Sequence, residues 1–188
     1  MHNRKILIIG EVYVDQHLDI IENGYSTSRL GGIFHAARSC DALNIEYALA
    51  YYAPDYLVKD VEKFGIDVLR ASSIFRLGKV DKAPNVMLIG QSDESGNQLY
   101  ENILGRQAEY VSMLPFMQVL DDFDPTDIII FPGRYGNAGI LSNLSNYEGK
   151  IHIDMNYDCD DILDLDTIKI QTVFLSTCLL YTSDAADD

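Results

Sequence analysis

"KILIIGEVYVD", Lys5 to Asp15, decides the fold. Ile6, Leu7, Ile8 and Ile9 form an unbroken apolar run. A strand tolerates such a run only when both of its faces are covered, as in the interior of a parallel sheet. Gly10 closes the run, and Asp15 stands five residues further on. In a parallel sheet flanked by helices, ligands collect beyond the carboxyl ends of the strands. The residues just after this strand are therefore the first to question.

Working outward, the same kind of run returns in "IEYALAYYAP" (45–54), "TDIIIFPG" (126–133), "KIHIDMN" (150–156) and "TIKIQTVFLST" (167–177). Helical periodicity fills the intervals. Ile33, Ala36, Ala37, Cys40 and Leu43 recur at three- and four-residue steps, which predicts a helix over 33–43. Asp55 as N-cap and Gly65 as stop predict a second helix over 55–65, with short strands in 65–78. Further helices are predicted over 110–121 and 137–146, and a short acidic one near 160–165. Strand–helix alternation with short connections predicts an α/β domain with a mainly parallel sheet between helical layers. Two segments break the alternation. Residues 16–30 mix alternation with turn residues, and "SDESG" separates strand-like runs at 85–91 and 97–103. A hairpin of that kind is expected to project from the main sheet.

Composition narrows the function. With 47% apolar and 23% charged residues in 188, the chain reads as globular. A net charge of -15 argues against a nucleic-acid partner, which needs clustered Lys and Arg. No apolar run reaches membrane-spanning length, and the N-terminus turns acidic too early for a signal peptide. Cys40, Cys159 and Cys178 are odd in number and lack paired metal spacing, which fits a reduced, cytoplasmic location. The last stretch, "CLLYTSDAADD" (178–188), has no turn, cap or amphipathic logic. It matches the translation of a transposase adapter used for sequencing libraries, so 178–188 is expected to be a non-native tail following 1–177.

Each candidate site residue has a structural and a functional reading. Asp15 accepts hydrogen bonds from ligand hydroxyls, or it caps a strand. Gly31 and Gly32, before the helix, admit close approach of a ligand to bare backbone, or they shape a turn. His35 lies in the first helical turn, where it meets a polar ligand or simply faces solvent. Arg134, in "FPGRYGNAG" (131–139), reaches an anionic or hydroxylated substrate, or makes a surface ion pair. Asp154, Asn156 and Asp158 mimic the start of a calcium loop, but Cys159 and Leu165 stand where Gly and Glu are required. No GxSxG elbow, Walker A loop or zinc signature occurs.

In order, these features are a buried strand ending in Gly-x-x-x-x-Asp, a Gly-Gly helix entry, a strand and helix ending at "FGIDV", and a hairpin around "SDESGNQ". That order resembles the PfkB, or ribokinase-like, family of carbohydrate kinases, over roughly residues 4 to 177. The resemblance implies a ribokinase-like three-layer α/β/α fold with a small β-sheet lid, formed by about 16–30 and 85–103. It implies an ATP- and Mg²⁺-dependent phosphorylation of a sugar hydroxyl. Asp15, Gly31, Gly32 and His35 would lie toward the substrate, where the local reading also places Arg134, and the lid would carry a homodimer contact. His35 stands where the family has an Asn, one residue closer to the glycines, and Asn44 replaces a Gly, which leaves the sugar open. The family's Asn-x-x-Glu motif and its Gly-Ala-Gly-Asp motif, whose Asp is the base, are not in this sequence. The resemblance therefore describes the N-terminal part of such a kinase, without catalytic residues and expected to be inactive alone. A non-catalytic sugar-binding relative is a second reading. An unrelated Rossmann-like domain is a third, weakened because no Gly-x-x-Gly loop follows Gly10.

Overall fold

The computed structural model describes residues 4–17, 27–92, 98–102, 108–131, 140, 143–155 and 169–175. The chain opens with β1 (Lys5–Glu11), β2 (Val14–His17), β3 (Thr27–Leu30), α1 (Phe34–Ala42) and β4 (Glu46–Ala53). It continues through α2 (Val58–Lys63), β5 (Ser73–Asp81), β6 (Val86–Ser92), β7 (Gln98–Asn102) and β8 (Glu109–Ser112). Then follow α3 (Phe116–Phe123), β9 (Asp127–Ile130), β10 (Lys150–Met155) and β11 (Ile170–Leu175).

Among the described residues, seven strands make the main sheet in the order β11-β10-β9-β1-β4-β5-β8. All pairings are parallel except β5 with β8. The apolar run of β1 lies at its centre, and Leu7, Ile8 and Ile9 are wholly buried. Alternation along the strand divides them between two cores. Leu7 and Ile9 pack with Val119 and Phe123 of α3 and with Ile140 and Leu144. Ile6 and Ile8 pack with Phe34 and Ala37 of α1 and Val61 of α2 on the other side. Three layers result, as expected for α/β/α.

The remaining strands form a separate sheet, β3-β2-β6-β7. The chain crosses between the sheets at residues 12–14: Val12 N–H still donates to Tyr52 C=O of β4 at 3.0 Å, whereas Val14 N–H donates to Asn85 C=O at 2.8 Å beside β6. Both segments that broke the alternation in sequence meet here.

Three local expectations are corrected. Glu109–Ser112 is an edge strand rather than the start of a helix, because Tyr110 packs edge-on against Tyr52 at 6.2 Å and Pro115 delays the helix to Phe116. Residues 64–68 form a π-helical turn closed by Leu69 N–H to Phe64 C=O, so Gly65 does not stop the helix and no strand begins before Ser73. Asp55 is not an N-cap. Its carboxylate instead takes Arg76 at 2.6 Å and Lys79 at 2.9 Å, while Pro54 precedes a 3₁₀ turn. The predicted acidic helix near 160–165, the tail 178–188 and half of the 137–146 helix (137–139 and 141–142) lie outside the described residues.

Candidate functional site

Asp15 is not at the tip of β1 itself. Two residues of connection carry the chain from β1 into β2, and Asp15 is the second residue of that strand, paired in register with Arg29 of β3. This places a carboxylate at the junction of the two sheets, on the carboxyl-end side of β1. It is only 4% exposed.

A glycine makes that burial feasible. A Cβ on Gly31 would stand 2.2 Å from Asp15 Oδ1, so the carboxylate occupies the space that any side chain there would claim. Gly31 N–H donates to Tyr13 C=O at 2.9 Å. Gly32 is required for a different reason. Its φ of +62° turns the chain into α1, and a Cβ there would lie 2.1 Å from Glu11 C=O. Only glycine meets both demands.

The opened space in front of α1 is thus filled by Asp15 rather than left bare. His35, in the first turn of α1, brings Nε2 to 3.0 Å from Asp15 Oδ2, with its own side chain half exposed. Arg29 Nε stands 3.7 Å from the same oxygen. Sequence reasoning proposed Asp15, Gly31, Gly32 and His35 separately, and the fold brings them to one place. Arg134 lies outside the described residues. The group can accept hydrogen bonds through a carboxylate held out of water, and present an imidazole and a guanidinium beside it.

A neighbouring knot escaped the sequence reading. Glu11, at the end of β1, is buried and accepts from Tyr110 Oη at 2.8 Å and from Asn85 Nδ2 at 3.3 Å. Asn85 also donates to Val12 C=O at 3.1 Å, in a left-handed conformation with φ of +48°. A glutamate ending an otherwise apolar inner strand was the available signal. It joins β1, the β5–β6 connection and β8 beneath the small sheet.

At the amino ends of the strands lies a third buried carboxylate, Asp127. Burial pushes Asp127 up, but hydrogen bonds from Arg4, Thr126 and His152 outweigh it and hold the carboxyl at about 2. Arg4 grips it with two nitrogens, at 2.9 and 3.2 Å. This is a structural clamp between the start of β1 and that of β9. Asp154, on β10, is raised by burial. Among the described residues no three His, Cys, Asp or Glu side chains converge as metal ligands, and no helix is long and apolar enough to cross a membrane.

No family model and no curated protein matches the chain. Solved structures do. A PfkB family carbohydrate kinase from Listeria grayi aligns with a TM-score of 0.62 at 12% identity, over 98% of this chain and 66% of its own. Ribokinase from Giardia lamblia aligns with a TM-score of 0.60 at 17% identity, over 84% of this chain and 52% of its own. The fold is ribokinase-like. A sugar kinase from Pyrococcus horikoshii, in complex with ATP, aligns with a TM-score of 0.51 at 16% identity, over 82% of this chain and 54% of its own. The chain spans about half to two thirds of the length of these structures. The central parallel sheet and small separate sheet are the shared architecture.

Proposed function

We propose that this chain forms the sugar-binding part of a PfkB-type kinase, which transfers the γ-phosphoryl group of ATP to a hydroxyl of a sugar or related small molecule. One observation carries the reading: Asp15, excluded from water between two sheets, rests on Gly31 with His35 against its outer oxygen. An ionised carboxylate only accepts hydrogen bonds, and a polyol only needs acceptors and donors in fixed places. Sugar hydroxyls that take the place of His35 or Arg29 against this carboxylate would make charge-assisted bonds, roughly twice as strong as neutral ones. His35 supplies the second polar contact, in the position where family members carry an Asn. Arg134 is proposed as a further substrate contact.

The small sheet is proposed as the lid over that substrate and as a homodimer contact. ATP is proposed as donor, supported by the ATP complex of the Pyrococcus neighbour. Mg²⁺ is proposed to accompany ATP in the parent kinase; among the described residues no three His, Cys, Asp or Glu side chains converge to hold it. Phosphoryl transfer itself is assigned to a chain that also holds the Gly-Ala-Gly-Asp motif; the 188 residues alone are expected to turn nothing over. A cytoplasmic location completes the reading.

The test assays the chain, and any longer protein found to contain it, with ATP against a panel of sugars. Phosphorylation of one sugar class, with Asp15→Asn lowering kcat/KM by about 100-fold or more, supports both kinase and site. Full activity in Asp15→Asn removes the site. Sugar binding without ATP turnover selects the non-catalytic relative.

A further inference from the structure

One helical turn beyond His35, the back of α1 faces a recess of about 320 Å³ between β3, α1 and α2. Its size is that of a small-ligand pocket. Leu30 and Phe64 give it an apolar floor, while Arg29, Arg38 and Lys63 stand around it against a single carboxylate, Asp60. Three cations facing one anion is the reverse of the chain's overall balance, with 29 acidic and 14 basic residues.

Arg38 is the unusual member. Nη2 donates to Leu30 C=O at 2.7 Å, and the guanidinium lies 5.6 Å from the Phe64 ring centroid. Nη1 is buried and has no hydrogen-bond partner, and Arg38 makes no ion pair with a described residue. Burial lowers its pKa and the like charge of Arg29 lowers it further, against a smaller opposing pull from the Asp15 carboxylate. A partly buried guanidinium with one nitrogen left unbonded carries a desolvation cost. Burial against Phe64 is tolerated far better when an anion completes the fork, since guanidinium binds carboxylate or phosphate oxygens in pairs.

We infer that this recess binds a small organic anion, with a carboxylate or phosphate head between Arg29, Arg38 and Lys63 and an apolar body over Leu30 and Phe64. The site is separate from the polyol site proposed above. Arg29 borders both, because its Nε lies 3.7 Å from Asp15. Binding here does not depend on any sugar being bound.

Titration calorimetry of the full chain with phenyl phosphate tests it, with benzyl alcohol as the neutral counterpart. Phenyl phosphate is expected to saturate one site at millimolar concentration or below, to weaken as salt rises, and to bind at least about tenfold more tightly than benzyl alcohol. Arg38→Met is expected to weaken it by about tenfold and Lys63→Gln by a few-fold, with Arg38→Lys recovering part of the loss. Equal affinity for benzyl alcohol, or no saturable binding of phenyl phosphate, overturns the inference. If Arg38→Met does not melt cooperatively, Lys63→Gln decides, and an unchanged affinity in that variant also overturns it.

Discussion

The carboxylate of Asp15 lies where a side chain on Gly31 would begin, 2.2 Å from the position of its Cβ. The two residues are therefore one steric unit. Gly31→Ala must push Asp15 off His35 or shift β2, at a cost of about 1–3 kcal/mol. In an Asp15→Ala background the space is vacant, and the same alanine costs much less. A double-mutant cycle by urea unfolding is expected to return a coupling of about 1 kcal/mol or more. Additive effects would mean that the packing of the two residues is not what excludes a side chain at position 31.

Gly32 is expected to behave differently, although it is the next residue. Its obstacle is backbone, Glu11 C=O, together with a φ of +62°. Neither yields to a change at Asp15. Gly32→Ala is expected to cost more than Gly31→Ala, with about 1–2 kcal/mol from the left-handed conformation alone. Removing the Asp15 side chain should rescue none of it, a contrast the same unfolding series reads directly.

These two glycines also mark how far the sequence could be read. Gly-Gly before an amphipathic helix signalled an unusual helix entry, but not which atoms would press on it. The main sheet was legible because Ile6 to Ile9 can be buried only from both sides, a constraint local to the run. Glu11 was not, since its partners Asn85 and Tyr110 are 74 and 99 residues away. Tyr110 itself lay in a segment whose spacing suited a helix, and only its packing on Tyr52 makes Glu109–Ser112 an edge strand. Similarly, the π-helical turn at Phe64–Val68 depends on hydrogen bonds to Leu69 and Ala71 that no periodicity announces. Local patterning predicted the elements, and long-range contacts set the site.

The clamp at the other end of the sheet predicts an acid limb. Asp127 titrates at about 2 in the folded chain, below its ordinary value of 3.8. A depressed folded value means stabilisation that is fully present above the unfolded value and lost as pH falls through the folded one. About 1–2 kcal/mol of stability is therefore expected to disappear between roughly pH 4 and pH 2. Asp127→Asn should flatten that limb, and Arg4→Met should shift it to higher pH. Chemical denaturation at a series of pH values checks both; an acid limb unchanged in Asp127→Asn would assign it to other carboxylates.

Two tyrosines on β4 carry the last prediction, because the same substitution is expected to act with opposite sign. Tyr47 and Tyr51 are both buried in the core beside α1 and α2, and burial raises the pKa of each, Tyr51 to about 12. The Tyr47 hydroxyl donates to Leu69 C=O, which helps close the turn before β5. Tyr47→Phe leaves that carbonyl short of a donor and is expected to cost about 1 kcal/mol. The Tyr51 hydroxyl is fully buried with no hydrogen-bond partner. Tyr51→Phe removes a desolvated polar atom, keeps the ring, and is expected to stabilise the chain by about 1 kcal/mol. Thermal and urea unfolding of the pair give the signs directly. A loss of stability in Tyr51→Phe would show that its hydroxyl is satisfied in solution and that the core around Val61 is not dry.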